Sequence, residues 1–272
     1  MEVAADLISR GEADAGAVVV TAHQSAGRGT HGRQWFDEPG SALLATMIVA
    51  AERVDALLPL RVGLALCDLL ESFGIAGPRI KWPNDCMCDN AKIAGILTRL
   101  EPPHALIGVG LNVTSAPAAG ATSVAAELAR TAAAARIRTA AAPRSDSMRT
   151  AAGGAHDSAA PAEPTPATGG ARDSAAPAEP TPAAGGARDS AAPVTPEALL
   201  EPFLAAVCRR LDATELARDC RARLWGLGRT VHIERPDRES IAGTIVGVSG
   251  DGALIISRNN KEERIYAGRI RM

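Results

Sequence analysis

The chain has 272 residues with 29 basic and 31 acidic side chains, a formal net charge of −2, so no whole-chain attraction draws it to nucleic acid or to an anionic membrane. Its five cysteines, Cys67, Cys86, Cys88, Cys208 and Cys220, are odd in number and sit inside ordinary strand or helix patterns, which suits a reducing, cytoplasmic compartment. No signal peptide is expected, and the sequence has no apolar run long enough to span a bilayer and no second Cys or His pair at zinc-finger spacing after Cys86 and Cys88.

In chain order, "EVAADLISRG" has helical spacing at Val3, Leu7 and Ile8 and ends on Gly11 as a C-cap. The strand-like "AVVVTA" follows, then a glycine-rich loop, then the apolar run "LLATMIVA" as a second strand. "VDALLPLRVGLALCDLLESFG" predicts a long amphipathic helix stopped by Gly74. "RIKW" is a short strand closed by Pro83, "KIAGILTRLE" and "ALIGVGLNV" are paired strands, and "ATSVAAELA" starts a helix. From about Arg130 to Val194 the composition turns to Ala, Pro, Gly, Ser and Thr, with "GGARDSAAPAEPTPAA" and close variants recurring at a fixed period. These units carry no Leu, Ile, Phe or Trp with which to bury a face, so they predict disorder rather than a solenoid.

Folding sequence resumes at Thr195, an N-cap with Pro196 at the first helical position, and Pro202 predicts a kink or a break in the helix that follows. A second helix runs to Trp225, and from Arg229 onward several short strands joined by turns predict a small β-barrel. The expected organisation is α+β: a first catalytic part over 1–130, a disordered insert over 131–194, closing helices over 195–227 and a barrel over 228–272.

The loop "QSAGRGTHGRQW", Gln24 to Trp35, spaces Gly27, Gly29 and Gly32 as a dinucleotide fingerprint does. That fingerprint needs a helix to begin inside the turn, so that its N-terminus takes a pyrophosphate. Here Pro39 and Gly40 break the chain and a strand follows. Walker A fails as well, since Gly32 is followed by Arg33 and Gln34. A second signal is scarcity: Lys81, Lys92 and Lys261 are the only lysines among the 29 basic residues. Two of them fall within twelve positions, where a compact, mobile charge serves a purpose that a planar guanidinium does not.

Four segments in order, "GRGTHGRQW", "KWPND" (Lys81 to Asp85), "KIAGIL" (Lys92 to Leu97) and "GVGLNV" (Gly108 to Val113), resemble the biotin–protein ligases. The resemblance covers nearly everything outside the insert. It implies a mixed-sheet catalytic domain of the biotin/lipoate ligase type with a C-terminal barrel. It also implies a two-step reaction: biotin and ATP form biotinyl-5′-AMP, and a lysine of a biotin carboxyl carrier domain then takes the biotinyl group. Negative charge builds on phosphate in both steps, so fixed cations and backbone N–H groups should carry the catalysis.

On that reading Lys92 bridges the biotin carboxylate and the α-phosphate, and Arg28 pairs with phosphate and orders the loop. Asp85 holds Mg²⁺, activates the acceptor amine or serves only as a turn former. Gln24, Gly27, Gly29, Thr30, Trp35 and Gly95 join Arg28 and Lys92 in binding biotin and the adenylate. Lys81, Trp82, Asn84 and Asn112 bind ATP, with pairing to Asp85 as the plain alternative for Lys81, core packing for Trp82, and turn or strand-end roles for the two asparagines. His31 is read as a solvated loop residue, and His23, His104 and His232 have no partner pattern.

Three departures stand out. Thr30 is neutral where the family carries a third basic residue. The family's Ser-Thr-Asn segment is expected just before the first helix, where this sequence starts at Met1. Arg271 and Met272 fall slightly short of the family's terminal basic contact to ATP. No helix-turn-helix pattern precedes the catalytic part, so DNA repression is not expected, and a homodimer is left open. A lipoate-type ligase of related fold and a binding protein without turnover are the competing readings. Excising residues 145 to 190 is expected to leave activity nearly unchanged.

Overall fold

The structure, a computed structural model, describes residues 1–141, 193–236 and 238–271, and the repeats of the expected insert lie outside them. The elements are α1 (Glu2–Ser9), β1 (Val18–Thr21), β2 (Ala42–Ala50), α2 (Leu58–Ser72), β3 (Arg79–Lys81), β4 (Asp85–Cys88), β5 (Ala91–Glu101), β6 (His104–Asn112) and α3 (Val124–Ala141). Beyond the insert come α4 (Pro196–Leu211), α5 (Leu216–Ala222), β7 (Thr230–Arg235), β8 (Arg238–Val248), β9 (Leu254–Arg258), β10 (Lys261–Ile265) and β11 (Arg269–Arg271).

A six-stranded sheet runs β1-β2-β6-β5-β4-β3, and each of its ladders is antiparallel. Among the described residues, parallel pairing enters the expected mixed sheet only through two isolated bridges, Ile80–Leu224 and Lys92–Ala121. Connection length is the reason, because β3 to β6 follow one another through turns too short for a parallel crossover. Seven successive residues of β2, from Ala42 to Ile48, are buried. On one side Ala4 of α1 closes over Ile48 and Leu106, with Met1, Ala5 and Ile8 packed around them. On the other side lies the main core, built around α2, and a strand covered on both faces needs no polar alternation.

Phe203, Leu199 and Val207 of α4 close over α2, and their burial carries α4 unbroken through the exposed Pro202 that predicted a kink. The Thr195 hydroxyl accepts from the Ala198 N–H, as an N-cap should. Helix α3 runs on to Ala141, past the expected boundary at 130. The C-terminal strands, expected as a small β-barrel, form an open antiparallel sheet, β10-β9-β8-β7-β11, in which β10 and β11 are five and three residues long and do not pair with each other among the described residues.

That sheet shares its hydrophobic core with the rest, in one cluster from Leu43 to Ile270. Ile80 of β3 donates its N–H to Arg223 and accepts one from Trp225, so the chain leaving α5 becomes an outer partner of the large sheet. The Trp225 indole donates to the Asp89 carbonyl and the Trp82 indole to the Gly252 carbonyl. No helix among the described residues is long and apolar enough to cross a membrane.

Candidate active site

The glycine-arginine loop folds back on itself. Arg28 bridges Gln34, Gly29 donates its N–H to the Arg33 carbonyl, Trp35 donates to the Gly27 carbonyl, and residues Thr30–Gly32 make a single 3₁₀ turn at the tip. Gly32 has φ +70°, which favours glycine. At Gly27 a Cβ would lie 2.5 Å from the Trp35 carbonyl oxygen and 2.9 Å from Gln24 Oε1, so the two arms of the loop close only on glycine. Arg33 bonds back to the Thr30 hydroxyl and carbonyl and steadies the tip.

Beneath the loop lies a cavity of about 570 Å³ over the outer face of β5 and β6, within the size range of small-molecule sites. Its wall includes Gln24, Arg28, Gly29, Thr30 and Trp35 from the loop, and Asn84, Lys92 and Gly95 from the sheet side. Strand β5 slips register against β4 at Cys86/Met87, which leaves Asp85 opposite Gly95. The Lys92 side chain lies across Gly95 to reach Asp85, Nζ to Oδ1 at 2.6 Å, and a Cβ on Gly95 would come within 3.0 Å of that Nζ. The ammonium also stands 5.6 Å from the centroid of the Trp35 ring. Trp35 rests on Gly110, where a Cβ would fall 2.7 Å from the indole, and its Nε1 is buried with no partner among the described residues. One cation is thus fixed between a carboxylate and an aromatic face, beside an unclaimed donor.

The remaining sequence-expected residues lie elsewhere. Trp82 is buried, with its indole bonded to Gly252. Asn112 is buried and donates to the Thr122 carbonyl. Neither lines the cavity. Asn84 does, although its amide is engaged by the Ile96 carbonyl, which ties the "PND" turn to β5. Lys81 pairs in register with Asp85 from the neighbouring strand, with Nζ 4.6 Å from the Trp225 ring centroid. Burial pushes the Lys81 ammonium down from its ordinary range, against the pull of Asp85 and with the positive charge of Arg269, Arg271 and Lys92.

Those arginines are what sequence reasoning missed. Arg269 is pushed down by burial, then by Arg33 and Arg271. Arg33 and Arg269 face each other across a smaller cavity of about 210 Å³ with Glu234 and Arg235. A loop residue and a residue over two hundred positions later thus meet as like charges, an arrangement suited to an anion. The only sequence signal was the basic character of "RIR" at the chain end.

Residues 1–112 match the family described as the biotin/lipoate A/B protein ligase family, and residues 226–272 match the biotin protein ligase C terminal domain. The two matched stretches lie on either side of the repeats, at the two ends of the chain. The chain is similar to the biotin–[acetyl-CoA-carboxylase] ligase of Mycobacterium tuberculosis, 37% identical over 123 residues, which is 42% of this chain and 46% of that protein. It is also similar to the bifunctional ligase/repressor BirA of Escherichia coli, 34% identical over 111 residues, or 38% of this chain and 35% of that one. The chain thus spans about half the length of the first relative and about a third of the second. In fold it is similar to the Aquifex aeolicus biotin protein ligase in complex with biotin and ATP, with a TM-score of 0.67 at 18% identity, covering 98% of this chain and 93% of that one. The Leishmania major biotin protein ligase in complex with biotinyl-5-AMP gives a TM-score of 0.54 at 19% identity, covering 98% and 94%.

Proposed function

We propose that this protein is an ATP-dependent biotin–[biotin carboxyl carrier protein] ligase, acting in the cytoplasm. The observation that carries the reading is the Lys92 ammonium, held against Asp85 on a rigid sheet and facing a cavity roofed by the glycine-arginine loop. Two anions must meet in the first step, a carboxylate and a phosphate, and a fixed cation between them lowers the barrier where charge builds. A biotin carboxylate oxygen bonds to the α-phosphorus, the bond to the β-phosphate oxygen breaks, and pyrophosphate leaves. In the second step an acceptor lysine attacks the acyl carbon and AMP leaves.

Gly95 and Gly110 leave no side chain between the sheet and the Trp35 ring, so the indole rests on β5 and β6 and offers an apolar wall to the ligand in the cavity. Gln24, Arg28 and Thr30 enclose it from the loop, with the Gly29 backbone close by, while Gly27 acts by closing the loop. The phosphate tail points toward Lys81, Arg33, Arg269 and Arg271, with Asn84 at the boundary, and the ATP roles expected of Trp82 and Asn112 pass to these residues. Among the described residues no three His, Cys, Asp or Glu side chains gather to hold a metal, and the Asp85 carboxylate is shared with Lys92. Asp85 therefore fits Mg²⁺ only as one ligand beside nucleotide phosphates, where the ion would neutralise charge on the leaving pyrophosphate.

Biotin-dependent ATP–pyrophosphate exchange tests the reading. Exchange with biotin and not with lipoate supports it; exchange with lipoate alone, or none with either, overturns it.

A further inference from the structure

The cavity wall contains a residue that the adenylation step does not use, His23, with the buried Asp37 bonded behind it. His23 lies between β1 and the glycine loop and lines the cavity, with its side chain 47% exposed. Its Nδ1 is 2.8 Å from Oδ2 of Asp37, whose side chain is fully buried at 0% exposure. The same Oδ2 accepts the Gln24 N–H, while Oδ1 is buried with no partner among the described residues. Thr21 holds the His23 backbone from both sides, its hydroxyl donating to the His23 carbonyl and accepting the His23 N–H.

A carboxylate sealed from water with one oxygen unclaimed is costly, and a positive charge formed on its neighbour offsets that cost. Asp37 also sets the tautomer: Nδ1–H donates to it, which leaves the Nε2 lone pair free on the exposed side of the ring. Nε2 has no protein partner among the described residues, whereas the other candidate base, Asp85, has Oδ1 bonded to Lys92 and does not line the cavity. The ionic groups around His23 are Asp37, bonded to it, and Glu2, Arg28, Arg33, Lys92, Arg99 and the α-ammonium of Met1 elsewhere in the cavity wall.

We propose that His23, oriented by the buried carboxylate of Asp37, is the general base that takes the proton from the acceptor lysine in the transfer step. This rests on the ligase reading above. The acceptor ammonium gives one proton to Nε2, and the freed amine forms the N–C bond to the acyl carbon. The C–O bond to phosphate then breaks, AMP leaves with the electron pair, and a second proton passes to water as the amide forms. A free lysine titrates near pH 10.4, so at neutral pH such a base shortens the wait for a reactive amine.

The test uses the full chain, isolated biotinyl-5′-AMP and a purified biotin carboxyl carrier domain. His23→Gln should slow transfer about 100-fold at pH 7, and the deficit should shrink steadily toward pH 10 as the acceptor deprotonates unaided. Asp37→Asn, which favours the wrong tautomer, should show a smaller deficit of the same pH shape. ATP–pyrophosphate exchange on the same preparations reports the first step, which His23→Gln should slow far less than transfer. A transfer deficit equal at every pH, or a fall in exchange as large as the fall in transfer, assigns His23 a structural role and overturns the proposal. Absence of biotin-dependent exchange from the unsubstituted chain removes the ligase reading and this one together.

Discussion

Lys92 and Arg28 face the same cavity from opposite kinds of support. Lys92 stands on β5, between two paired strands, with its ammonium bonded to Asp85 and its stem lying on Gly95. Arg28 stands on the loop, 74% exposed, and its one ion pair among the described residues is a loose 3.6 Å contact to Glu2 of α1. Glu2 in turn bonds to Arg99 of β5 at 3.0 Å, so the loop arginine is tethered to the sheet only through an intermediary. The chemistry that must be in place before substrates meet sits on the scaffold, and the part that must open and close sits on a loop.

That contrast breaks first at Lys92. Lys92→Ala should cut biotin-dependent exchange about 1,000-fold, the scale for loss of a preorganised charge. Lys92→Arg should fall nearly as far, because a planar fork does not fit the slot over Gly95. A substitution retaining a tenth of the activity would remove the ammonium from the centre of the mechanism. Gly110→Ala comes next: the added methyl strikes the Trp35 ring, and biotin affinity by calorimetry should weaken about 100-fold, on the order of 3 kcal/mol.

The loop should respond more gently. Arg28→Ala should raise the KM for ATP more than it lowers kcat, and Thr30→Arg, which restores a loop cation, should slow release of the adenylate about tenfold, or 1.4 kcal/mol by the usual conversion. Equal release rates in the two proteins would show that the tip does not gate escape.

The smallest effect on chemistry belongs to Asp68, far from the cavity. It receives Arg210 and Arg223, joining α2 to α4 and to the end of α5. Burial alone would raise the Asp68 carboxyl, yet the bonds from Arg210 and Arg223 hold it below its ordinary range. A carboxylate depressed in the folded state contributes its stability above the ordinary carboxylate pKa and loses it as pH falls through the depressed value. Asp68→Asn should therefore lower stability by about 2 kcal/mol at pH 7, with the gap to the parent closing below about pH 4. Activity per folded molecule should not change, as urea titration with parallel exchange assays would reveal.

Much of this was legible in the chain itself. Periodicity placed α1, β1, β2, β5 and β6 within a few residues, because long apolar runs with glycine stops admit few readings. It passed over β4, "DCMC", four residues whose strand character comes from a neighbour rather than from propensity. The motifs that offer Trp82 and Asn112 as ligand contacts mark which residues matter together, but not that both are buried and bonded to backbone carbonyls. The meeting of Arg33 with Arg269 depends on the Ile80–Leu224 bridge carrying the C-terminal sheet to the edge of the large one. No local pattern encodes that bridge.

The single core spanning both sides of residues 142–192 has a further consequence for how the polypeptide can be divided. Helix α2 is covered by Leu199, Phe203 and Val207, all contributed from beyond that stretch. A translation product ending at Ala141 would leave that apolar surface facing water and would seek a partner to cover it. Fragments 1–141 and 193–272 produced as separate molecules should accordingly find each other and restore exchange activity. The natural linkage would then act mainly to keep two complementary pieces at high local concentration.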